Sequence, residues 1–219
     1  MTSLTPHGTA SVTDNERWVG AAFAAIPLAA LVWIVIFAWQ PANFWILMTA
    51  GVGCLGILAI LIRGPFPVRE GMRGADLALG FASAVLLYAI FAVGRTVAGW
   101  VLPFAGGQVS AVYAIRTQAP VWAIAVALVL VIGPGEEVFW RGLVQGALIR
   151  RLGAGWGWAA ATLIYGLVHV AAGNAMLVLA ALVAGAFWGA MYLWAGRIAP
   201  VVVSHVLWDV TVFLLLPFR

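Results

Sequence analysis

The stretch APVWAIAVALVLVIGPGEEVFWRGLVQGALIR, residues 119–150, decides how this chain folds. Its first part, residues 119–132, is apolar throughout; Gly133-Pro134-Gly135 then leads into Glu136 and Glu137, and a second largely apolar run ends at Arg150. A membrane helix needs about 20 apolar residues, and this stretch exceeds that. It lacks the alternation of a barrel strand. In lipid only helices and closed barrels satisfy every backbone group. The stretch therefore reads as helix, with Gly-Pro-Gly either breaking one long span or separating two.

Outward from it lie six more apolar stretches, at about 18–39, 44–62, 76–101, 156–172, 175–195 and 199–216. The expected fold is all-α, a polytopic transmembrane helix bundle of seven spans, or eight if the Gly-Pro-Gly break divides the fourth. Composition agrees: 65% of the residues are hydrophobic and 8% charged, where soluble domains carry about a quarter charged residues. Residues 1–16 read as a disordered polar tail and 17–219 as a single transmembrane domain. The tail lacks the basic start of a secretory signal. Frequent small residues, as in Gly185-Ala186-Phe187-Trp188-Gly189, let helices approach closely. Cys54 stands alone in an apolar stretch and reads as a small packing residue.

All eleven cationic side chains are Arg, so the net charge gives no reason to expect a nucleic-acid partner. Arg17, Arg63, Arg69, Arg73, Arg150, Arg151 and Arg197 fall on one side of a seven-span chain. By the positive-inside rule that side, with the N-terminus, is cytoplasmic. Arg without Lys, among abundant Ala and Gly, suggests a bacterial plasma membrane. The expected partners are membrane lipids and a membrane-associated protein or peptide.

Ionisable residues inside the spans are the informative ones. Glu136, Glu137, Arg141, His169, His205 and Asp209 all lie there. Each Asp or Arg costs roughly 2.5–3.5 kcal/mol at a helix centre, and several facing lipid would cost on the order of 10 kcal/mol. They must face the bundle interior or a wet cavity. Glu137 and Arg141 are four apart and can pair, which leaves Glu136, about 100° away, free to work. Pro134 between two glycines is expected to restart the helix, placing Glu136 in a first turn where unpaired N–H groups favour a carboxylate. Tyr165 and His169 share a face, as do His205 and Asp209. Asp209 is expected to orient His205, and the Tyr165 hydroxyl to serve His169. Arg95 reads as a snorkelling or bundle-pairing residue and Asn174 as a turn residue.

The run Glu136-Glu137-x-x-x-Arg141, then Tyr165-x-x-x-His169, then His205-x-x-x-Asp209 resembles the three motifs of the CPBP family. This is the group of CAAX-processing and bacteriocin-processing intramembrane proteases, also called Abi or Rce1-like. Its motifs are Glu-Glu-x-x-x-Arg, Phe-x-x-x-His and His-x-x-x-Asn or Asp. The resemblance covers about residues 119–216. Tyr165 stands where the family usually has Phe, and Asp209 where prenyl-protein proteases have Asn. The resemblance implies an intramembrane endopeptidase in which Glu136 and His169 activate water. His205 with Asp209 would stabilise the tetrahedral oxyanion. Glu137, Arg141 and Tyr165 would support the site. Because an ionised Asp209 cannot donate to an oxyanion, it is assigned to orienting His205 or to a metal.

Two mechanisms stay open. His169, His205, Glu136 and Asp209 could hold Zn²⁺ with a position left for water, or the same residues could work without metal. The alternatives to an enzyme are a non-catalytic immunity or scaffold protein that keeps the fold, and a small proton-coupled transporter. A transporter would show internal repeats with paired broken helices, and this chain has one candidate break.

Overall fold

A computed structural model describes residues 12–64 and 72–218, all of whose regular structure is helical. Residues 1–11 of the expected tail and Arg69 lie outside the described residues. Helix α1 covers 12–39 and α2 Phe44–Arg63; α3 is Gly74–Val101 and α4 Ala105–Ala114. Helix α5 is Val121–Leu152, α6 covers 154–172, α7 is Ala175–Ala195 and α8 Ala199–Leu215. Five of these, α1, α2, α3, α5 and α7, are long and apolar enough to cross a membrane. Helices α6 and α8 are shorter apolar segments between and beside them. The seven stretches read from the sequence thus map one to one onto helices, and α4 is a short addition in the 102–118 connection. Outward faces are apolar: Leu31, Ile46, Leu61, Phe81 and Leu167 are all exposed, as lipid requires. Cys54, expected in the packing, is exposed on α2 instead.

The largest departure is at Gly133-Pro134-Gly135. The helix neither breaks nor restarts there; α5 runs through from Val121 to Leu152. Wide π turns at Leu128–Ile132 and Val138–Gln145 flank the segment Gly133–Glu137. The Gly133 N–H bonds to the Leu128 carbonyl, five residues back. A widened turn just before a proline relieves the clash its ring would make with the preceding turn. Glu136 therefore sits in mid-helix, and the expected first-turn N–H groups are not what holds it.

The glycines serve close approach. A Cβ on Gly135 would stand 2.8 Å from Val52 Cγ1 and 3.1 Å from the Val52 carbonyl oxygen of α2, and one on Gly56 would stand 3.2 Å from Gly135 Cα. On the other flank a Cβ on Gly133 would lie 2.7 Å from Val206 of α8. The middle of α5 is thereby wedged between α2 and α8. Arg63, at the end of α2, also donates to the Gly142 carbonyl. We predict that Gly135→Ala overpacks this contact at a cost of about 1–3 kcal/mol, read as a lowered melting temperature in detergent.

Two apolar cores result. One is built from α1, α2, α5 and α6 around Trp33, Val52, Phe139 and Leu143; the other joins α3, α7 and α8 around Leu87, Trp188 and Val201. The Asp76 carboxylate on α3 binds Arg197, in the connection between α7 and α8, with an N···O distance of 2.8 Å. Trp18 of α1 lies under the guanidinium groups of Arg63 and Arg150.

Candidate active site

The middle of α5 presents two adjacent carboxylates to different partners. Glu137 is completely buried. Its Oε1 accepts from an Arg141 Nη at 2.9 Å and lies 2.6 Å from His205 Nδ1 on α8. The spacing-based pair is present, and it extends into a triad that bridges the two cores. Trp188 of α7 stacks on His205, with ring centroids 3.8 Å apart and planes 20° apart, and its indole N–H donates to Ser204 Oγ at 3.1 Å. The Arg141 guanidinium lies over the rings of Tyr165 and Trp188, 4.9 and 5.5 Å from their centroids. A buried charge needs this density of partners.

His205 is therefore held chiefly by Glu137. Asp209, expected to orient it, has Oδ2 3.5 Å from His205 Nε2, beyond a firm hydrogen bond. With Nδ1 fixed on Glu137, Nε2 is the nitrogen left to meet a ligand.

Glu136 accepts a hydrogen bond on Oε2 from the Tyr165 hydroxyl, at 2.7 Å. That hydroxyl was expected at His169; it goes to Glu136 instead. Phenylalanine at this position could not supply the bond, so the departure from the family motif has a structural use here. The backbone carbonyl of Tyr165 is what meets His169, 2.7 Å from Nδ1. Facing a carbonyl, Nδ1 must carry the proton. Nε2 is then an acceptor, and it receives the indole N–H of Trp33 at 3.2 Å. The rings of Trp33, Phe37 and Tyr165 surround His169, with centroids 5.7, 5.8 and 4.8 Å away. Trp33 and Trp188 were missed from the sequence. Each is one tryptophan among 12 in an apolar chain, and no local spacing distinguishes it.

Glu136, Tyr165, His169, His205 and Asp209 all line one cavity of about 440 Å³. The remaining wall is mostly apolar, from α1, α2, α3, α7 and α8. Helix α4 contributes Val109, Val112 and Tyr113 to it. Side-chain hydrogen bonds hold this helix and the turn after it. Asn174 Nδ2 donates to the Gln108 carbonyl, and the Met176 N–H to Gln108 Oε1. Asn43 Nδ2 donates to the Gln118 carbonyl, and the Phe44 N–H to Gln118 Oε1. Asn174 also accepts from the Leu177 N–H as the cap of α7, in keeping with its reading as a turn residue.

The side chains proposed for a metal do not fit one as arranged. Both ring nitrogens of His169 are engaged, one with a carbonyl and one with an indole N–H. Nδ1 of His205 is held by Glu137, so its Nε2 is the one ring nitrogen of the two histidines left open. Among the described residues no three His, Cys, Asp or Glu side chains come together as a metal-holding group. A zinc site needs three or four donor atoms converging on one point.

Residues 118–211 match the family model described as Rce1-like, type II CAAX prenyl endopeptidase. The match takes in all three motifs, from Glu136 to Asp209, and leaves out α1 to α4. The recognition made from the motifs stands on this match. No curated protein and no solved structure matches the chain. The motif-bearing part of this integral membrane protein is thus similar to an endopeptidase family.

Proposed function

We propose that this membrane-embedded endopeptidase hydrolyses a peptide bond in the 440 Å³ cavity, with Glu136 as general base and His205 as the oxyanion partner. The observation that carries the reading is the division between the two carboxylates. Glu137 is spent on Arg141 and His205, while Glu136 has one oxygen on Tyr165 and the other available to the cavity. A water held by Glu136 gives it a proton and attacks the peptide carbonyl carbon. The carbonyl π electrons move to oxygen. His205, with Nδ1 on Glu137, stabilises that oxyanion by donating from Nε2 in its protonated form. Collapse breaks the C–N bond, and Glu136 returns its proton to the departing amine. Water and peptide become acid and amine, with the enzyme unchanged.

His169 shares in water activation only when the Trp33 indole N–H gives up its Nε2, which entry of a substrate into the aromatic enclosure could bring about. Asp209, with Oδ2 3.5 Å from His205 Nε2, stands at the rim of the ring where the oxyanion forms. No step here is routed through a metal: both His169 nitrogens are engaged by a carbonyl and an indole N–H, and among the described residues no three donor side chains converge.

The substrate we propose is a hydrophobic segment of a membrane-associated protein or peptide, of the CAAX-processing or bacteriocin-processing type. The mostly apolar cavity wall suits lipidated or aliphatic side groups. The arginine-bearing ends of the helices are assigned to the cytoplasm of a bacterial plasma membrane. The α4 end of the cavity then lies on the other face.

The test is cleavage of apolar fluorogenic peptides by the full chain, purified in detergent, with and without a strong chelator. Undiminished turnover after chelation, in protein whose bound zinc is far below one per chain, is the expected result. Loss of turnover restored by added Zn²⁺ would overturn the metal-free assignment.

A further inference from the structure

One polar group on the cavity wall is unused by this mechanism. Arg95 lies on α3 with Phe91 and Ala98, four and three residues away on the same face, and all three line the cavity. It is the one arginine on that wall among the described residues. Its guanidinium passes over Gly99 and reaches Gly106 in the first turn of α4. One Nη lies 2.9 Å from where a Cβ on Gly99 would stand, and the other 3.9 Å from that of Gly106. Larger residues at these glycines would crowd the guanidinium.

No described carboxylate reaches it. Asp76 is paired with Arg197, Glu136 with Tyr165, Glu137 with Arg141 and His205, and Asp209 faces His205. Arg95 Nε is buried and has no hydrogen-bond partner. A bundle-pairing arginine would have met a carboxylate, and no described one reaches Arg95. Its side chain is half-buried on the cavity wall, with Nε enclosed, and an arginine in apolar surroundings costs several kcal/mol unless something offsets it.

We infer that Arg95 is a specificity-determining residue that receives a carboxylate of the peptide substrate near α4, while the scissile bond lies at Glu136 and His205. This rests on the peptidase reading above and deepens it. A guanidinium presents a planar fork that matches a carboxylate, and low-dielectric walls strengthen the attraction. The charge layout also sets direction. The cavity's own carboxylates, Glu136 and Asp209, lie together at the hydrolytic cluster and repel an anionic group, whereas Arg95 attracts it. A substrate bearing a terminal or side-chain carboxylate therefore binds in one orientation.

The test uses three apolar peptides of one sequence: one with a free C-terminal carboxylate, one with a C-terminal amide, and an amide with an aspartate near its end. Wild type should prefer the free carboxylate over the plain amide at least tenfold in kcat/KM, mostly through KM. The third peptide separates a terminal from a side-chain carboxylate. Arg95→Gln should bring the preference close to one, and Arg95→Lys should keep part of it. The same three peptides are titrated onto Glu136→Gln protein, where a carboxylate preference should appear in binding and disappear when Arg95→Gln is added. Equal treatment of acid and amide peptides by wild type, or a proportional loss on all of them in Arg95→Gln, would overturn the inference. Failure of the Glu136→Gln protein to bind any of the peptides would also overturn it. Selective binding without any cleavage would instead refute the peptidase reading and leave the anion site standing.

Discussion

Glu136→Gln is expected to lower kcat by about 10³-fold, within the usual worth of a positioned general base, while the protein folds and melts as before. The two side chains are nearly the same shape. The amide oxygen of glutamine can still accept from the Tyr165 hydroxyl, which donates to Glu136 at 2.7 Å. What is lost is the ability to take a proton from water and hand it to the leaving amine. Stability should not suffer, because the change removes a buried charge that has no ion-pair partner of its own. The measurement is single-turnover cleavage beside a detergent melting curve. Substantial residual turnover would remove Glu136 from the mechanism, and equal loss of fold and activity would make it a structural residue.

Arg141→Met is expected to do the reverse and strike stability first. Arg141 is buried, donates to Glu137 and lies over two aromatic rings. Its removal leaves Glu137 as a buried carboxylate with only His205 beside it. Breaking a buried pair on one side typically costs about 3–5 kcal/mol, so yield and melting temperature should both fall sharply. The double variant Glu137→Gln/Arg141→Met removes both charges and should recover much of that loss, since neutral replacements of buried pairs are often tolerated. Activity should stay low in the double variant because His205 no longer has its ionic anchor. A single variant as stable as wild type would show that Glu137 does not need Arg141. A fully active double variant would show that His205 does not need Glu137.

Much of this architecture was legible in the sequence because lipid imposes strong rules. Apolar runs of span length can only be helices there, and the seven stretches correspond to α1, α2, α3, α5, α6, α7 and α8. The pairing of Glu137 with Arg141 followed from a four-residue spacing on one helix, and it is present. What local spacing could not give was any bond between helices. Glu137 to His205, Tyr165 to Glu136 and Trp33 to His169 join different helices. The i to i+4 rule therefore misassigned the Tyr165 hydroxyl and overrated Asp209. Gly133-Pro134-Gly135 misled for a different reason. Gly and Pro punctuate helices in water, but in a packed bundle the same residues serve close approach and a widened turn.

Those widened turns fix the aim of the site. Each wide turn holds one residue more than an α turn, so each shifts everything beyond it by about 100° around the helix axis. With Leu128–Ile132 rewound to α geometry at unchanged length, α5 could keep its backbone bonds, yet Glu136 would swing by about 100° off the cavity. The angular register of the chemistry is thus stored in the winding of two loose turns, Leu128–Ile132 and Val138–Gln145, and not in the sequence of the carboxylates alone.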